Sequence, residues 1–360
     1  MKKTTMNKWA LLSLLLFAAL RISAQPRWSV EKAQEWSREH GWVCGVNYIP
    51  AGAVNYTAMW DKTSFSPKEI RRELGLMKDL GMNCVRFVMQ YKVYEDDPKY
   101  FVRTLGKFLR LCDEAGVKAM PIFFDDCTFG TNNDPHTGRQ PEPLRGWYAW
   151  GWSPSPGLTA KIDYRCRPML ERYVKDVMTK FRDDERILLW DLYNEPTNCA
   201  MSEYSWTLLR DVFRWAREVN PSQPISSGLW NGDAELNEFL LTGSDVVTFH
   251  HYGDAESTLG QIEEKLSYGR PVICTEWMNR VADSTIKDNL HLFAEHGVGC
   301  LLWGLVNGKT QTDLPWGHRP EMLPYKGVWQ HDIFRGDLTP YDPEEIELLR
   351  STIAASHSAK

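Results

Sequence analysis

The sequence lacks any strong excess of charge of one sign. Its 360 residues contain 42 Lys and Arg against 47 Asp and Glu, which gives a formal net charge of -5. Proteins that bind nucleic acid or anionic membranes usually concentrate Lys and Arg in stripes or patches, and this sequence has neither. We therefore expect no nucleic-acid partner and no polybasic attachment to a membrane.

The sequence also lacks the motifs that commonly hold metals or cofactors. None of the 8 cysteines belongs to a C-x-x-C pair, which disfavours a structural zinc site. The first apolar run contains no His-x-His of the kind that metal-dependent barrel hydrolases use, and Lys118, the only lysine in a predicted strand, lies at a strand start where it is a poor Schiff-base residue. We expect neither a metal nor a cofactor.

No apolar run is long enough to span a bilayer comfortably. A segment with three lysines, residues 2–8, precedes an apolar stretch at residues 9–20, and Ala24 offers a cleavage position before Gln25. This pattern predicts a signal peptide over residues 1–24, a catalytic domain over residues 25–360 and a secreted or periplasmic protein without a membrane anchor after cleavage. An uncleaved anchor is the alternative.

Export permits disulfides, but the cysteine pattern leaves the pairing open. Cysteines inside apolar, strand-like runs are expected to be buried free thiols; these are Cys44, Cys84, Cys274 and Cys300. Loop cysteines are better disulfide candidates; these are Cys127, Cys166 and Cys199.

Short apolar runs alternate with amphipathic segments from residue 43 onward. The predicted strands are residues 43–49, 83–89, 118–124, 187–193, 224–229, 246–252, 271–275 and 299–305. The amphipathic segments predict helices at residues 66–80, 98–115, 164–181, 202–219, 255–266 and 284–296. Eight strands in alternation with helices predict a parallel sheet that closes into a single α/β (β/α)8 TIM barrel.

Two long segments interrupt this order, one after the third predicted strand and one after the eighth. The first runs from residue 125 to about residue 163, and the second from residue 307 to about residue 336. Loops of this length in a compact domain are usually functional, and loops after strands lie at the carboxyl-terminal face of a barrel.

Two glutamates end apolar strands, which is unusual because an ionised group is costly to bury. Glu195 ends the fourth predicted strand, in the sequence Trp-Asp-Leu-Tyr-Asn-Glu-Pro, and Glu276 ends the seventh, in Cys-Thr-Glu-Trp. Opposite strands face each other across the mouth of a barrel, so the two carboxylates can approach each other. Such a pair is typical of a glycosidase, with a separation of about 5–5.5 Å for a retaining mechanism or about 6.5–9.5 Å for an inverting one.

These motifs resemble those of clan A glycoside hydrolases, and most closely the cellulase-like glycoside hydrolase family 5, over residues 40–350. The resemblance implies that Glu195 is the acid/base, that Glu276 is the nucleophile and that Asn194 binds the sugar 2-hydroxyl. It also implies site roles for four further residues: Arg86, His250, Tyr252 and Trp303.

The chemistry of these residues agrees with the roles that the resemblance implies. Arg86 interrupts an apolar strand, where a carboxylate partner is expected, and its charge would lower the pKa of Glu276. His250 and Tyr252 are two residues apart and share one strand face, so Tyr252 can donate a hydrogen bond to Glu276. Trp303 offers a flat apolar surface to a sugar ring. We expect His251, by contrast, to face the barrel wall.

Three further residues are weaker expectations for sugar binding. Asp125 follows the third strand, where the family has a histidine, and Asn47 follows the first strand. The loop after the third strand is dense in aromatic residues, including Trp147, Tyr148 and Trp152, and we choose Trp150 as its sugar-binding side chain. Whether this loop lines the cleft or only packs onto the barrel stays open, as does exo-action against endo-action.

The sequence thus predicts a retaining β-glycosidase that acts on a β-linked polysaccharide or its oligosaccharides. Glucan, mannan, xylan and galactan all remain open as substrates, and the oligomeric state is not readable. Two alternatives stay: a catalytically inactive barrel that binds carbohydrate, and a transglycosylase that shares every residue of the site.

Overall fold

The structure, a computed structural model, describes residues 26–130, 132–199 and 201–358. The predicted signal peptide, residues 1–24, lies outside the described residues. In the described chain the strands are β1 (Cys44–Asn47), β2 (Cys84–Val88), β3 (Lys118–Asp125), β4 (Trp190–Asn194), β5 (Ile225–Ser226), β6 (Val247–His250), β7 (Val272–Trp277) and β8 (Gly299–Trp303). Each predicted strand overlaps one of them, and β3, β4 and β7 end one or two residues beyond the predicted range.

The strands form one parallel sheet that closes into a barrel, which confirms the predicted (β/α)8 fold. Their spatial order is β5-β4-β3-β2-β1-β8-β7-β6, so each strand lies beside its neighbours in the sequence. Between β5 and β6 the barrel is closed by isolated backbone pairing, since Leu229 N donates to Thr248 O and His250 N donates to Leu229 O. A parallel sheet with both faces covered needs apolar strands, and nearly all strand residues are buried.

The helices surround the barrel, and several of them begin at a capping side chain and end at a glycine. They are α1 (Val30–His40), α2 (Tyr56–Trp60), α3 (Pro67–Leu80), α4 (Tyr91–Asp96), α5 (Pro98–Ala115), α6 (Leu158–Ile162), α7 (Arg167–Lys180), α8 (Ser202–Val219), α9 (Ala234–Gly243), α10 (Ala255–Leu266), α11 (Ile286–Glu295) and α12 (Pro343–Ser358). Ser66 caps α3 by accepting a hydrogen bond from Glu69 N, and Gly81 ends α3 in a left-handed conformation.

The helix α1 was not predicted and covers the amino-terminal end of the barrel. Its Trp36 and the preceding Trp28 join a small apolar cluster with residues near the strand starts, such as Met120 and Leu301. This packing seals the face opposite the predicted site, while the main core lies between the strands and the outer helices.

The two long loops lie where the sequence predicts them. The β3 loop comprises residues 126–157, between β3 and α6, and the β8 loop comprises residues 304–342, between β8 and α12. The connections after β4, β5 and β6 are short by comparison, because α8, α9 and α10 begin soon after these strands. No helix among the described residues combines the length and apolar character that a membrane crossing requires.

The expected disulfides among the loop cysteines are wrong, because all eight cysteines are free thiols. Cys127 Sγ lies 3.2 Å from Glu195 Oε2, and Lys161 Nζ lies 3.0 Å from Cys199 Sγ. Cys127 and Cys199 thus contact other polar groups instead of each other. The strand cysteines are buried free thiols, as predicted.

Candidate active site

The strand register brings the predicted site residues to one level at the mouth of the barrel. Asn47 on β1 lies beside Arg86 on β2 and Trp303 on β8, and His250 on β6 lies beside Glu276 on β7. A cavity of about 400 Å³ opens at this level. Its lining includes eight of the ten predicted site residues: Asn47, Arg86, Asn194, Glu195, His250, Tyr252, Glu276 and Trp303.

The carboxylates of Glu195 and Glu276 face each other across this cavity. One oxygen of each lies within 4.8 Å of the other and of a ring nitrogen of His250. Backbone strain accompanies both glutamates: Glu195 has a φ of 43°, and Met278, two residues after Glu276, has a φ of 77°. Side chains other than glycine adopt this region at a cost, and such positions cluster at functional sites. The separation fits the short spacing of retaining glycosidases.

Arg86 is the centre of a buried hydrogen-bond network, with only 1% of its surface exposed. Its Nη1 donates to Glu276 Oε1 at 2.7 Å, and its Nη2 lies 2.8 Å from Asp191 Oδ2. It also donates to the side-chain oxygens of Asn47 and Asn194 at 2.7 Å each. Burial lowers the pKa of Arg86, but the charges of Asp191 and Glu276 outweigh burial and raise it, so the guanidinium stays charged.

Glu276 receives a second strong hydrogen bond on its other oxygen. Tyr252 Oη donates to Glu276 Oε2 at 2.7 Å, and Nδ1 of His250 lies 3.7 Å from the same oxygen. Burial, followed by the charge of Glu276, raises the pKa of Tyr252 well above its ordinary value, so its hydroxyl remains a donor. With Arg86 on one oxygen and Tyr252 on the other, the carboxylate of Glu276 is held in one orientation.

Glu195 is surrounded by three donors on the opposite side of the cavity. Its Oε1 lies 2.8 Å from His250 Nδ1, and its Oε2 accepts from Asn198 Nδ2 at 2.6 Å and from Cys127 Sγ at 3.2 Å. Burial on its own raises the pKa of Glu195. The hydrogen bond and charge of His250, together with the bonds from Cys127 and Asn198, outweigh burial and hold this pKa below its ordinary value.

Asp125 does not line the cavity, in contrast to its prediction as a sugar ligand. It is fully buried, and its Oδ1 accepts from Asn194 Nδ2 at 2.9 Å while its Oδ2 accepts from Trp152 Nε1 at 3.0 Å. Burial raises the pKa of Asp125 to about 7 despite these bonds. Asp125 therefore orients Asn194, whose Oδ1 faces Arg86 and whose amide group remains at the cavity.

The aromatic loop after β3 contributes side chains other than the predicted one. Trp150 is half-buried and is not part of the cavity lining, whereas Tyr148 and Trp152 are buried and line it. Trp152 also contacts Trp303, with ring centroids 5.7 Å apart. The alternation of exposure within the loop follows its turns, which the sequence does not reveal.

Sequence reasoning also missed residues that the short loops and the β8 loop bring to the cavity. Asn198, Trp230 and Trp316 line it, and so does His251, which we had expected to face the barrel wall. Trp316 lies between Pro315 and Gly317. Such neighbours are common for aromatic residues in any loop, so they do not indicate that Trp316 lines the cavity.

His331 packs against Trp303 without lining the cavity itself. Its ring lies 5.6 Å from that of Trp303, its Nδ1 lies 2.8 Å from Met278 O, and burial lowers its pKa to about 3. His331 is therefore a neutral packing group.

Glu195, His250 and Glu276 are spaced closely enough to ligate a metal ion. Both oxygens of Glu276 already have partners, however, in Arg86 and Tyr252. A guanidinium 2.7 Å from Glu276 Oε1 repels a cation at the same carboxylate. The donor set therefore fits proton transfer better than metal binding.

Three solved structures illustrate what the fold is similar to. An exo-β-1,4-mannosidase from Opitutaceae bacterium strain TAV5 is 19% identical with a TM-score of 0.60, and the match covers 88% of this chain and 60% of that one. An endo-β-1,4-mannanase from Thermotoga petrophila is 15% identical with a TM-score of 0.57, over 90% of this chain and 79% of that one.

A GH5_18 protein from Bifidobacterium longum, in complex with Manβ1-4GlcNAc, is 13% identical with a TM-score of 0.62, over 88% of this chain and 79% of that one. At these identities the three structures establish the fold alone. The chain spans only about 60% of the length of the mannosidase. A search of curated protein sequences gives no match to this chain.

The family assignment comes from the sequence profile of cellulase (glycosyl hydrolase family 5), which matches residues 53–309. This segment contains β2 to β8, and hence both Glu195 and Glu276. The match covers well over half of the chain and agrees with the barrel fold and with the paired carboxylates at its mouth. The chain therefore belongs to glycosyl hydrolase family 5, a family of retaining O-glycoside hydrolases of clan A.

Proposed function

We propose that this protein hydrolyses a β-linked polysaccharide or its oligosaccharides by double displacement, with Glu195 as the acid/base and Glu276 as the nucleophile. The observation that carries this proposal is the spacing of the two carboxylates, which lie within 4.8 Å of each other in a cavity that reaches solvent. This spacing leaves no room for a water molecule to attack from the opposite side of the sugar, as inversion requires.

In the first step Glu276 attacks the anomeric carbon while Glu195 protonates the departing glycosidic oxygen. Glu276 suits attack because hydrogen bonds from Arg86 and Tyr252, one to each oxygen, fix the orientation of its carboxylate. Glu195 must carry a proton at this stage. Since its pKa lies below the ordinary value, the protonated fraction rises as the solution becomes more acidic, and we expect an acidic activity optimum.

In the second step the sugar is bound covalently to Glu276 and the leaving group has departed. Glu195 is now ionised and accepts a proton from an incoming water molecule, which attacks the anomeric carbon and releases Glu276. The donors around Glu195 favour its ionised form, which suits this general-base role. The low pKa thus favours the second step at the expense of the first.

Two further residues position the reacting sugar in this proposal. Arg86 and Asp125 hold the side-chain oxygen and one N–H of Asn194. Its second N–H, whose nitrogen lies 3.4 Å from Cys127 Sγ, is the donor that it offers to the 2-hydroxyl, a contact that strengthens in the transition state. Trp303 offers its apolar surface at the cavity floor. Asn47 lines the cavity as well, but its oxygen is bound to Arg86.

The sugar and the linkage are left to experiment. Glucan, mannan, xylan and galactan all contain β-linked backbones that fit the chemistry. β-Mannosides are the first substrates to test, because the mannosidase and the mannanase described above act on β-mannosides and the GH5_18 protein holds Manβ1-4GlcNAc.

Export is part of the proposal. It rests on the basic and apolar pattern of residues 1–24, which lie outside the described residues. Polymeric glycans do not cross membranes unaided, so a hydrolase that acts on them is expected outside the cytoplasm. Mass spectrometry of the mature protein from culture medium or periplasm tests this, with an amino terminus at Gln25 as the expected result.

The decisive experiment compares wild-type protein with Glu195→Ala and Glu276→Ala on a panel of β-glycans and aryl β-glycosides, with and without azide. We expect both variants to lose activity. Azide should restore it with a β-glycosyl azide product for Glu195→Ala and an α-glycosyl azide for Glu276→Ala. Glu347→Ala, at an exposed position of α12, is the control and should retain full activity.

Each alternative predicts a different result in the same assay. A carbohydrate-binding barrel predicts that wild type and both variants bind glycans equally and cleave none, which would overturn the proposal. A transglycosylase predicts oligosaccharides longer than the substrate as main products. Hydrolysis predicts only shorter ones.

A further inference from the structure

Resting on the proposed function, we propose that the enzyme is exo-acting and removes single sugars from the non-reducing ends of its substrates. The inference depends on the shape of the mouth. The two long loops join over one half of it and close the cavity on the side where the non-reducing end of the substrate must lie.

The β3 loop and the β8 loop are joined by several hydrogen bonds. Gln311, in the β8 loop, accepts from Gly146 N at 2.8 Å and donates to the carbonyl oxygens of Leu144 and Trp147 at 2.8 and 3.2 Å. The backbone adds a bond from Ala149 N to Thr310 O at 2.9 Å. Because the loops start from β3 and β8, their junction spans the ends of β1 and β2 between them.

Aromatic side chains on the inner side of this junction form a continuous wall, defined here as Tyr56, Trp152, Phe129, Tyr148 and Trp316. Successive ring centroids are 4.8, 5.8 and 5.1 Å apart from Tyr56 to Tyr148. Trp316 Nε1 then donates to Tyr148 Oη at 3.2 Å. All five line the cavity.

The opposite half of the mouth has no comparable cover. The segments after β4, β5 and β6 are short, and they supply four half-buried residues to the edge of the cavity: Asn198, Trp230, His251 and Tyr252. Tyr252 meets the end of the wall, with its ring centroid 4.9 Å from that of Trp316. A ligand that extends beyond the cavity therefore leaves it over this half.

The chemistry fixes which end of the substrate faces the wall. Glu195 must reach the departing oxygen, so the leaving group lies on the side of β4, which is the open half. The reacting sugar lies over Trp303 on β8. The ring of Trp303 is next to that of Trp152 of the wall, with the two ring centroids 5.7 Å apart. The non-reducing end of that sugar points into the wall, where a preceding sugar of a longer chain has no outlet.

The cavity size agrees with this arrangement. Its volume of about 400 Å³ lies near the lower end of the range of about 300–1,000 Å³ for small-ligand sites. A cleft that binds the interior of a polysaccharide must be open at both ends. This cavity suits one enclosed sugar with part of its leaving group.

The test uses an oligosaccharide of six sugars, labelled at the reducing end, whose sugar and linkage are those hydrolysed in the panel. We expect the first labelled product to be one sugar shorter than the substrate, followed by successively shorter ones, with free monosaccharide as the only unlabelled product. The 4-nitrophenyl β-glycoside of the same sugar should also be hydrolysed.

Trp316→Ala opens the rim of the wall and is expected to give labelled products of several lengths at early times. Trp329→Ala is the matched control, because Trp329 lies in the same loop but stacks on Tyr341, with centroids 4.7 Å apart. Its product pattern should equal that of wild type.

Several labelled lengths from the start with wild-type protein, or release of disaccharides, would overturn exo-action on single sugars and leave the proposed hydrolysis intact. Absence of cleavage on every substrate of the panel would contradict the proposed function and this inference together.

Discussion

The mouth of the barrel has two unlike halves. The half above β8, β1, β2 and β3 is covered by two long loops that bond to each other, while the half above β4, β5 and β6 carries only short connections. The covered half supplies most of the aromatic surface. The open half supplies two of the three contacts of Glu195, Asn198 and His250, while the third, Cys127, comes from the β3 loop. The difference shows how one barrel can separate recognition of a sugar from release of its leaving group.

Arg86 links the two halves chemically. It lies on β2 in the covered half, and its partners Asp191 and Glu276 lie on β4 and β7. A buried cation between two buried carboxylates needs acceptors for its remaining protons, and Asn47 and Asn194 provide them here. Arg86 therefore fixes the distance between the covered half and the nucleophile strand.

The largest effect is expected from breaking this link. Arg86→Ala leaves Asp191 and Glu276 buried without their charge partner, which should cost about 3–5 kcal/mol in the free energy of unfolding. Urea denaturation followed by circular dichroism measures this, and activity should be lost as well. Arg86→Lys keeps the charge but not the paired contacts, so its free energy of unfolding should lie between those of wild type and Arg86→Ala. Unfolding at the wild-type urea concentration would contradict this role of Arg86.

The second effect tests the hydrogen-bond donors around Glu195 through the pH dependence of kcat/KM. In Asn198→Ala, Glu195 loses a donor to its ionised form, so its pKa should rise and the basic limb of kcat/KM should move up by about one pH unit. Cys127→Ala should shift the same limb in the same direction by less. Cys127→Ser retains a donor at this position and should leave the limb near its wild-type place. A shift to lower pH in either alanine variant would contradict the proposed contacts.

The third effect loosens the covered half without touching the carboxylates. Gln311→Ala removes three hydrogen bonds between the long loops, so hydrogen exchange at residues 144–149 should accelerate, and KM should rise several-fold with little change in kcat. Gln261→Ala, on the exposed surface of α10, is the matched control. Unchanged exchange in Gln311→Ala would show that the loops do not depend on this junction.

The smallest effect is expected for Trp150 of the β3 loop, in contrast to its neighbour Trp152. Trp150→Ala should change KM by less than about two-fold, because Trp150 lies outside the cavity lining. Trp152→Ala should raise KM much more, since Trp152 contacts both Tyr56 and Trp303. Equal effects of the two substitutions on aryl-glycoside kinetics would show that the loop moves on binding.

The barrel was predictable because its pattern is local. Apolar runs that alternate with amphipathic segments place β1 to β8 correctly. The end of each strand lies at the mouth, so the positions of Glu195 and Glu276 in the sequence were enough to predict that both line the cavity. The register then brings Arg86 beside Asn47 without any further signal.

The loops were not predictable in the same way. No periodic pattern tells which side of an irregular segment faces the cavity. Trp150 was therefore predicted to bind sugar, whereas its neighbours Tyr148 and Trp152 line the cavity. The contact of Cys127 with Glu195 depends on a turn after β3, and a disulfide was the simpler expectation for an exported chain. Asp125 was predicted to bind sugar, but it lies behind Asn194 and does not reach the cavity. The sequence does not show that Asn194 stands between Asp125 and the cavity.

The most direct measurement is covalent trapping with an activated 2-deoxy-2-fluoro β-glycoside of the sugar that the panel identifies. The account predicts a mass increase of one glycosyl group per protein, located by peptide mass spectrometry on Glu276 and absent in Glu276→Ala. It also predicts that the trapped protein regains activity when an acceptor sugar is added. A label on Glu195 or elsewhere, or no label on a protein that cleaves the parent glycoside, would contradict Glu276 as the nucleophile.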